Sequence, residues 1–123
     1  MSLMFAVLLQ ALPSVEELEN KTPWTAADRD VAAAVVKEHA AKWNACIAGA
    51  KARFIKSREP AETIATAVLG SCLPQQKAAH RAMTVAFRGL LEPGARSREA
   101  DGVIAHWRSD VREEVIAAVL ASR

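Results

Sequence analysis

The chain has 123 residues, 51 % of them hydrophobic, and its 16 Lys and Arg against 14 Asp and Glu leave a net charge of +2. That length is one domain, long enough to bury a modest core unaided. The near-balance of charge excludes a global electrostatic pull toward nucleic acid or anionic lipid.

Alanine supplies much of the hydrophobic fraction, Tyr is absent, and Val, Ile and Thr form no alternating runs. Ala, Glu, Lys and Arg at helical spacing predict an all-α fold. Residues 1–14 carry no charged side chain, and Leu3-Met4-Phe5-Ala6-Val7-Leu8-Leu9 is an apolar run followed by Pro13-Ser14. This pattern reads as the hydrophobic and cleavage regions of an export signal, with the mature chain starting between Leu12 and Glu16. The run is too short to cross a bilayer, which takes about 20 apolar residues. A single helical domain over 15–123 follows.

Ser14 and Glu17 match a capping box, which predicts a short helix from Val15 to Asn20. Helix A is expected over 26–57, capped by Thr25 with Asp28 at its third position. Its apolar stripe is Val36, Ala40, Trp43, Ile47, Ala50 and Phe54. Lys51, Arg53, Lys56 and Arg58 gather at its negative end. Pro60 suits the first position of helix B, whose apolar face is Ile64, Ala65, Val68, Leu69 and Cys72. Leu73-Pro74 then breaks or kinks the chain.

Helix C is expected over 74–91, with Ala79, Met83, Ala86, Phe87 and Leu90 buried. Glu92-Pro93-Gly94 reads as a turn in which glycine takes the left-handed conformation. Helix D is expected from a Ser97 cap nearly to Arg123, with Ile104, Trp107, Val111 and Ala118 on its inner side. The expected architecture is a small antiparallel bundle of three to four helices. At ~1.5 Å per residue helix A is nearly as long as B and C end to end, which favours B and C as one kinked arm lying along A.

Cys46 and Cys72 are the only two cysteines, and they lie almost symmetrically about the Ser57-to-Pro60 break. A reversal there brings them to one height on neighbouring antiparallel helices, so a disulfide-stapled hairpin is expected. Such a bond belongs to an oxidising compartment. His39, His80 and His106 fall on different helices without ligand spacing, so no metal is expected, and no cofactor motif occurs. No serine sits in a nucleophile-elbow context. Asp110, Glu113 and Glu114 read as surface carboxylates pairing locally with Arg108 and Arg112. Lys77, Arg81, Arg88, Arg96 and Arg98 form the best basic patch, without aromatic residues interleaved for base stacking.

The run 115–121 is apolar throughout. A helix apolar all round needs cover on most sides, so part of it is expected to pack against helices A and C. Ile116, Val119 and Leu120 are the candidate residues for an interface with a second copy or another protein.

The pattern Trp43-x-x-Cys46, Ser57-x-Glu59-Pro60-Ala61-Glu62, Ala67 and Cys72 resembles uncharacterised small exported two-cysteine helical proteins of proteobacteria, over residues 36–75. The resemblance implies a cysteine-bracketed hairpin and export, and no activity. The expected function is a non-enzymatic exported protein, periplasmic or secreted, acting through protein or envelope contacts. Two alternatives stay open: a cytosolic helical adaptor or regulatory subunit with reduced thiols, and a small enzyme or ligand carrier with a pocket between helices.

Overall fold

The computed structural model describes residues 12–88 and 90–123. The apolar run of the expected export signal lies outside them. Among the described residues the fold is all-α: α1 Val15–Asn20, α2 Ala26–Phe54, α3 Ala61–Ser71, α4 Leu73–Ala86 and α5 Pro93–Ala121. No strand is formed there, and no helix is long and apolar enough to cross a membrane.

Local chemistry explains where the helices begin. Ser14 Oγ accepts from the Glu17 N–H at 3.1 Å and starts α1. Thr25 Oγ1 accepts from the Asp28 N–H at 3.2 Å while Asp28 Oδ2 accepts from the Thr25 N–H at 2.7 Å, a complete reciprocal cap for α2. Helix α2 ends at Phe54, short of the expected Ser57, because the chain must spend the intervening residues reversing into Pro60. Pro60 itself is not the first helical residue. It stays extended (φ −54°, ψ 145°) and offers its carbonyl to the Ile64 N–H at 3.1 Å.

Two boundaries differ more. Helix α5 begins at Pro93, not after a Ser97 cap, because proline at a first helical position is already set to a helical φ and has no N–H to leave unpaired. Gly94 is therefore helical and not left-handed, and the Glu92 carbonyl receives the Ala95 and Arg96 N–H groups at 2.9 and 3.1 Å. Helix α4 ends at Ala86, so Leu90 falls in the connection and is exposed, not buried as expected.

The chain does not reverse at Pro74. Helices α3 and α4 hardly touch one another, yet each packs along α2 and along α5. They form one arm with a corner at Cys72, whose φ of −108° and ψ of 18° leave the helical range. Pro74 has no N–H to continue the ladder and is tolerated in the first turn of α4. The kinked arm lies between α2 and α5 and is the centre of the bundle.

The main core joins Trp43, Ile47 and Ala50 of α2 to the predicted face of α3, to Ala79 and Met83 of α4, and to Ala100, Ile104, Val115 and Val119 of α5. Trp43 and Trp107 stack across it with ring centroids 5.6 Å apart. Fully buried Ala65, Ala79 and Ala100 provide close approach where a larger side chain would hold helices apart. A second core at the other end holds Val15 and Leu18 of α1 with Ala32, Val35, Ala82 and Val85. Ala32 and Val35 extend the α2 face beyond the predicted stripe because α1 folds back over them.

Asp28 is the buried charge of this second region, and Lys21 Nζ lies 2.7 Å from its Oδ1. The hydrogen bond from Lys21, then that from the Thr25 N–H, holds its carboxyl below the ordinary 3.8, at about 2. A depressed carboxyl stabilises the fold above its unfolded pKa and loses that contribution as pH falls through the folded value. Stability titrated downward from neutral pH should therefore fall between 3.8 and about 2. Asp28→Asn, followed by chemical denaturation at each pH, should remove that acid-dependent step; an unchanged step would assign it elsewhere.

Candidate functional site

The corner of the kinked arm is where the sequence's most specific expectation falls. Cys72 is fully buried and closes α3, while Cys46 projects from α2 one turn after Trp43. The two sulfurs lie at bonding distance, 2.12 Å, with the Cα atoms 5.8 Å apart. The bond ties the corner to the long helix. Two buried polar atoms nearby in sequence, Trp43 Nε1 and Gln75 Oε1, have no hydrogen-bond partner among the described residues. An unpaired buried group of this kind costs about 1–3 kcal/mol, which the surrounding packing offsets.

The basic patch predicted on helix C is largely turned to internal use. Arg81 makes a two-pronged contact with Glu19 of α1, Nε to Oε1 at 2.7 Å and Nη2 to Oε2 at 3.1 Å. That pairing holds the Glu19 carboxyl below its ordinary range. Arg88 Nη1 donates to the Leu18 and Glu19 carbonyls at 3.0 and 3.1 Å, and its guanidinium lies over the Trp24 ring. Trp24 Nε1 donates to the same Leu18 carbonyl at 3.1 Å. Arg96 Nε donates to the Leu91 carbonyl at 2.9 Å. These groups bind α1 and the α4–α5 connection to the bundle. Lys77 and Arg98 meet no carboxylate among the described residues.

The carboxylates and arginines of α5 do not pair along their own helix as expected. Arg112 reaches Glu62 of α3 at 3.8 Å, Arg108 reaches Gln76 of α4, and Glu114 reaches Lys51 of α2 at 3.6 Å. Asp110 meets His106 at 3.3 Å. Packing sets these choices, because neighbouring helices lie within reach of the same long side chains.

The histidines are dispersed. His80 Nε2 meets Asp101 Oδ1 at 2.7 Å across α4 and α5, and His39 lines a cleft with Glu38, Lys42 and Arg81. No group of three His, Cys, Asp or Glu residues converges as a metal site among the described residues.

Of the three interface candidates on α5, Val119 is fully buried, Ile116 packs partly against the core, and Leu120 is 62 % exposed. Ile116 and Leu120 stand one turn apart on the same side of the helix, while Val119 faces the core. The contacts that flank the run 115–121 go to α2, α3 and the turn between them, not to helix C as expected: Glu114 meets Lys51, Arg112 contacts Glu62 and Thr66, and Arg123 contacts the Ser57 and Glu59 carbonyls. The antiparallel register of the kinked arm causes this, since α4 lies beside the first half of α5.

Comparison with protein-family models, with curated proteins and with solved structures returned no match.

Two outcomes follow from this geometry. Protein recovered from an oxidising compartment should gain no mass on alkylation without reductant, and replacing both cysteines with Ser should lower stability by ~3–4 kcal/mol while leaving the helical circular dichroism unchanged. Two reactive thiols in denatured, unreduced protein would refute the bond. Denaturation of two α5 variants should separate core from surface: Ile116→Glu should cost about 1–3 kcal/mol, and Leu120→Glu less than about 0.5.

Proposed function

We propose that this protein is a non-enzymatic exported helical protein that acts through protein or envelope contacts. The observation that carries the reading is the Cys46–Cys72 pair at bonding distance in a buried corner. Structural disulfides persist in oxidising compartments and are rare where cytosolic thiols stay reduced. The apolar run Leu3-Met4-Phe5-Ala6-Val7-Leu8-Leu9 supports the same compartment through its likeness to an export signal.

The charged groups add to this reading. Glu19, Asp28, Arg81, Arg88 and Arg112 act as struts between elements. Their pairings serve the fold, and the clefts between them are open grooves on the surface. A contact protein needs a rigid body with a distinctive exterior, and a stapled bundle provides one.

Ser14 caps α1 and Val15 is buried, so removal of an export signal that keeps this helix intact must occur before Ser14. Expression of the full chain in a bacterium with an export pathway, followed by fractionation and intact mass, tests the reading. The expected species sits in the periplasm or medium, starts at Leu12, Pro13 or Ser14, and resists alkylation. Full-length protein in the cytoplasm with two alkylatable thiols would favour the adaptor alternative instead.

A further inference from the structure

The bundle end formed by the α2–α3 turn and the C-terminus of α5 collects positive charge, although the Arg53 guanidinium lies over the Phe54 ring. Helices α2 and α5 run the same way and finish together there, so both direct their carbonyl ends toward it. Arg53, Lys56 and Arg58 are exposed and meet no carboxylate among the described residues. Arg123 joins them by donating to the Ser57 carbonyl at 3.3 Å and to that of Glu59. Glu59 is the nearby acid of the turn, while Lys51 is already matched by Glu114 at 3.6 Å. Beside this cluster, one turn before Arg123, stands Leu120, 62 % exposed. The rest of the molecule offsets these cations, so the net charge of +2 hides the asymmetry.

We propose that this end is a docking surface for the anionic headgroups of a phospholipid bilayer. The cations would approach lipid phosphates, and Leu120 would enter the headgroup boundary. Two features favour a bilayer over an acidic protein. The end presents a handful of side chains around a shallow open depression lined by Ile55, Lys56, Ser57, Arg58, Ser122 and Arg123, whereas a stable protein interface buries about 1,000 Å² or more with matched shape. A bilayer needs no matched groove: long cationic side chains around one apolar residue fit its interface, each attracted to an anionic surface. The cations also complement two helix carbonyl ends, and that role would be indifferent to lipid. The inference deepens the envelope-contact reading and rests on it only for where in the cell the protein meets lipid.

Co-sedimentation of the full oxidised chain with vesicles tests it. Binding is expected to phosphatidylcholine vesicles containing phosphatidylglycerol, not to phosphatidylcholine alone, and should weaken at high salt. The double variant Lys56→Glu/Arg58→Glu should bind at least about tenfold more weakly, with its circular dichroism unchanged. Lys77→Glu/Arg98→Glu, which alters the same number of cations elsewhere, should retain binding, and Leu120→Ser should reduce it severalfold. Absence of binding by the folded chain at low salt overturns the proposal. Binding that survives the Lys56/Arg58 reversal also overturns it, because the apolar run near the N-terminus would then be the lipid contact. Equal loss in both double variants would mark general charge attraction. Capture of polyglutamate without vesicle binding would assign the end to an acidic protein.

Discussion

The corner at Cys72 organises this molecule. Pro74 lacks the N–H that would carry a helix through, so it fits in the first turn of α4 and not inside one continuous helix. The arm therefore bends between Ser71 and Leu73, and both halves stay in contact with α2 on one side and α5 on the other. A straight helix of that length would diverge from one neighbour or the other. The bend is held by burial of Cys72 and by its proximity to Cys46, so the local weakness of the proline becomes a fixed feature of the core.

Away from the corner, polar contacts reinforce a small apolar anchor to tie the smallest element in place. Helix α1 has six residues, too few for stability by itself. Val15 and Leu18 anchor it, and Arg81, Arg88 and Trp24 hold its C-terminal carbonyls and its Glu19 side chain. The Leu18 carbonyl, left without a helical partner, receives both an arginine and an indole donor. Lys21 and Asp28 close the same junction from the α2 side. The polar residues of this end are thus structural, whereas at the opposite end Lys56 and Arg58 are turned to solvent and meet no carboxylate among the described residues.

This division bears on function. Charges consumed within the bundle stabilise its shape and leave little for a partner. Charges that the fold does not consume, gathered beside an exposed leucine, are what another surface would meet. A stapled body with one chemically distinct end is the basis of the contact role proposed for it.

Much of the architecture was legible in the sequence because it rests on short-range rules. The Thr25 and Ser14 caps, the face of α3, the kink at Pro74 and the pairing of Cys46 with Cys72 all follow from residues within a few turns of one another or from symmetry about one break. The same rules misplaced the start of α5: Pro93 read as part of a turn ahead of a Ser97 cap, whereas in the complete connection it is the first helical residue. They also misplaced Leu90, since the end of α4 depends on how the chain crosses to α5. The partners of Arg81, Arg88, Arg108 and Arg112 were not legible, because a long charged side chain has several candidates along its own helix and tertiary packing adds others. Val119 and Leu120 lie side by side in sequence, yet one is fully buried and the other exposed. Composition and periodicity determined that this chain folds as helices with a stapled corner. Which cations were used and which were left at the surface was decided by the register of α5 against the kinked arm, a relation between distant segments that local pattern does not contain.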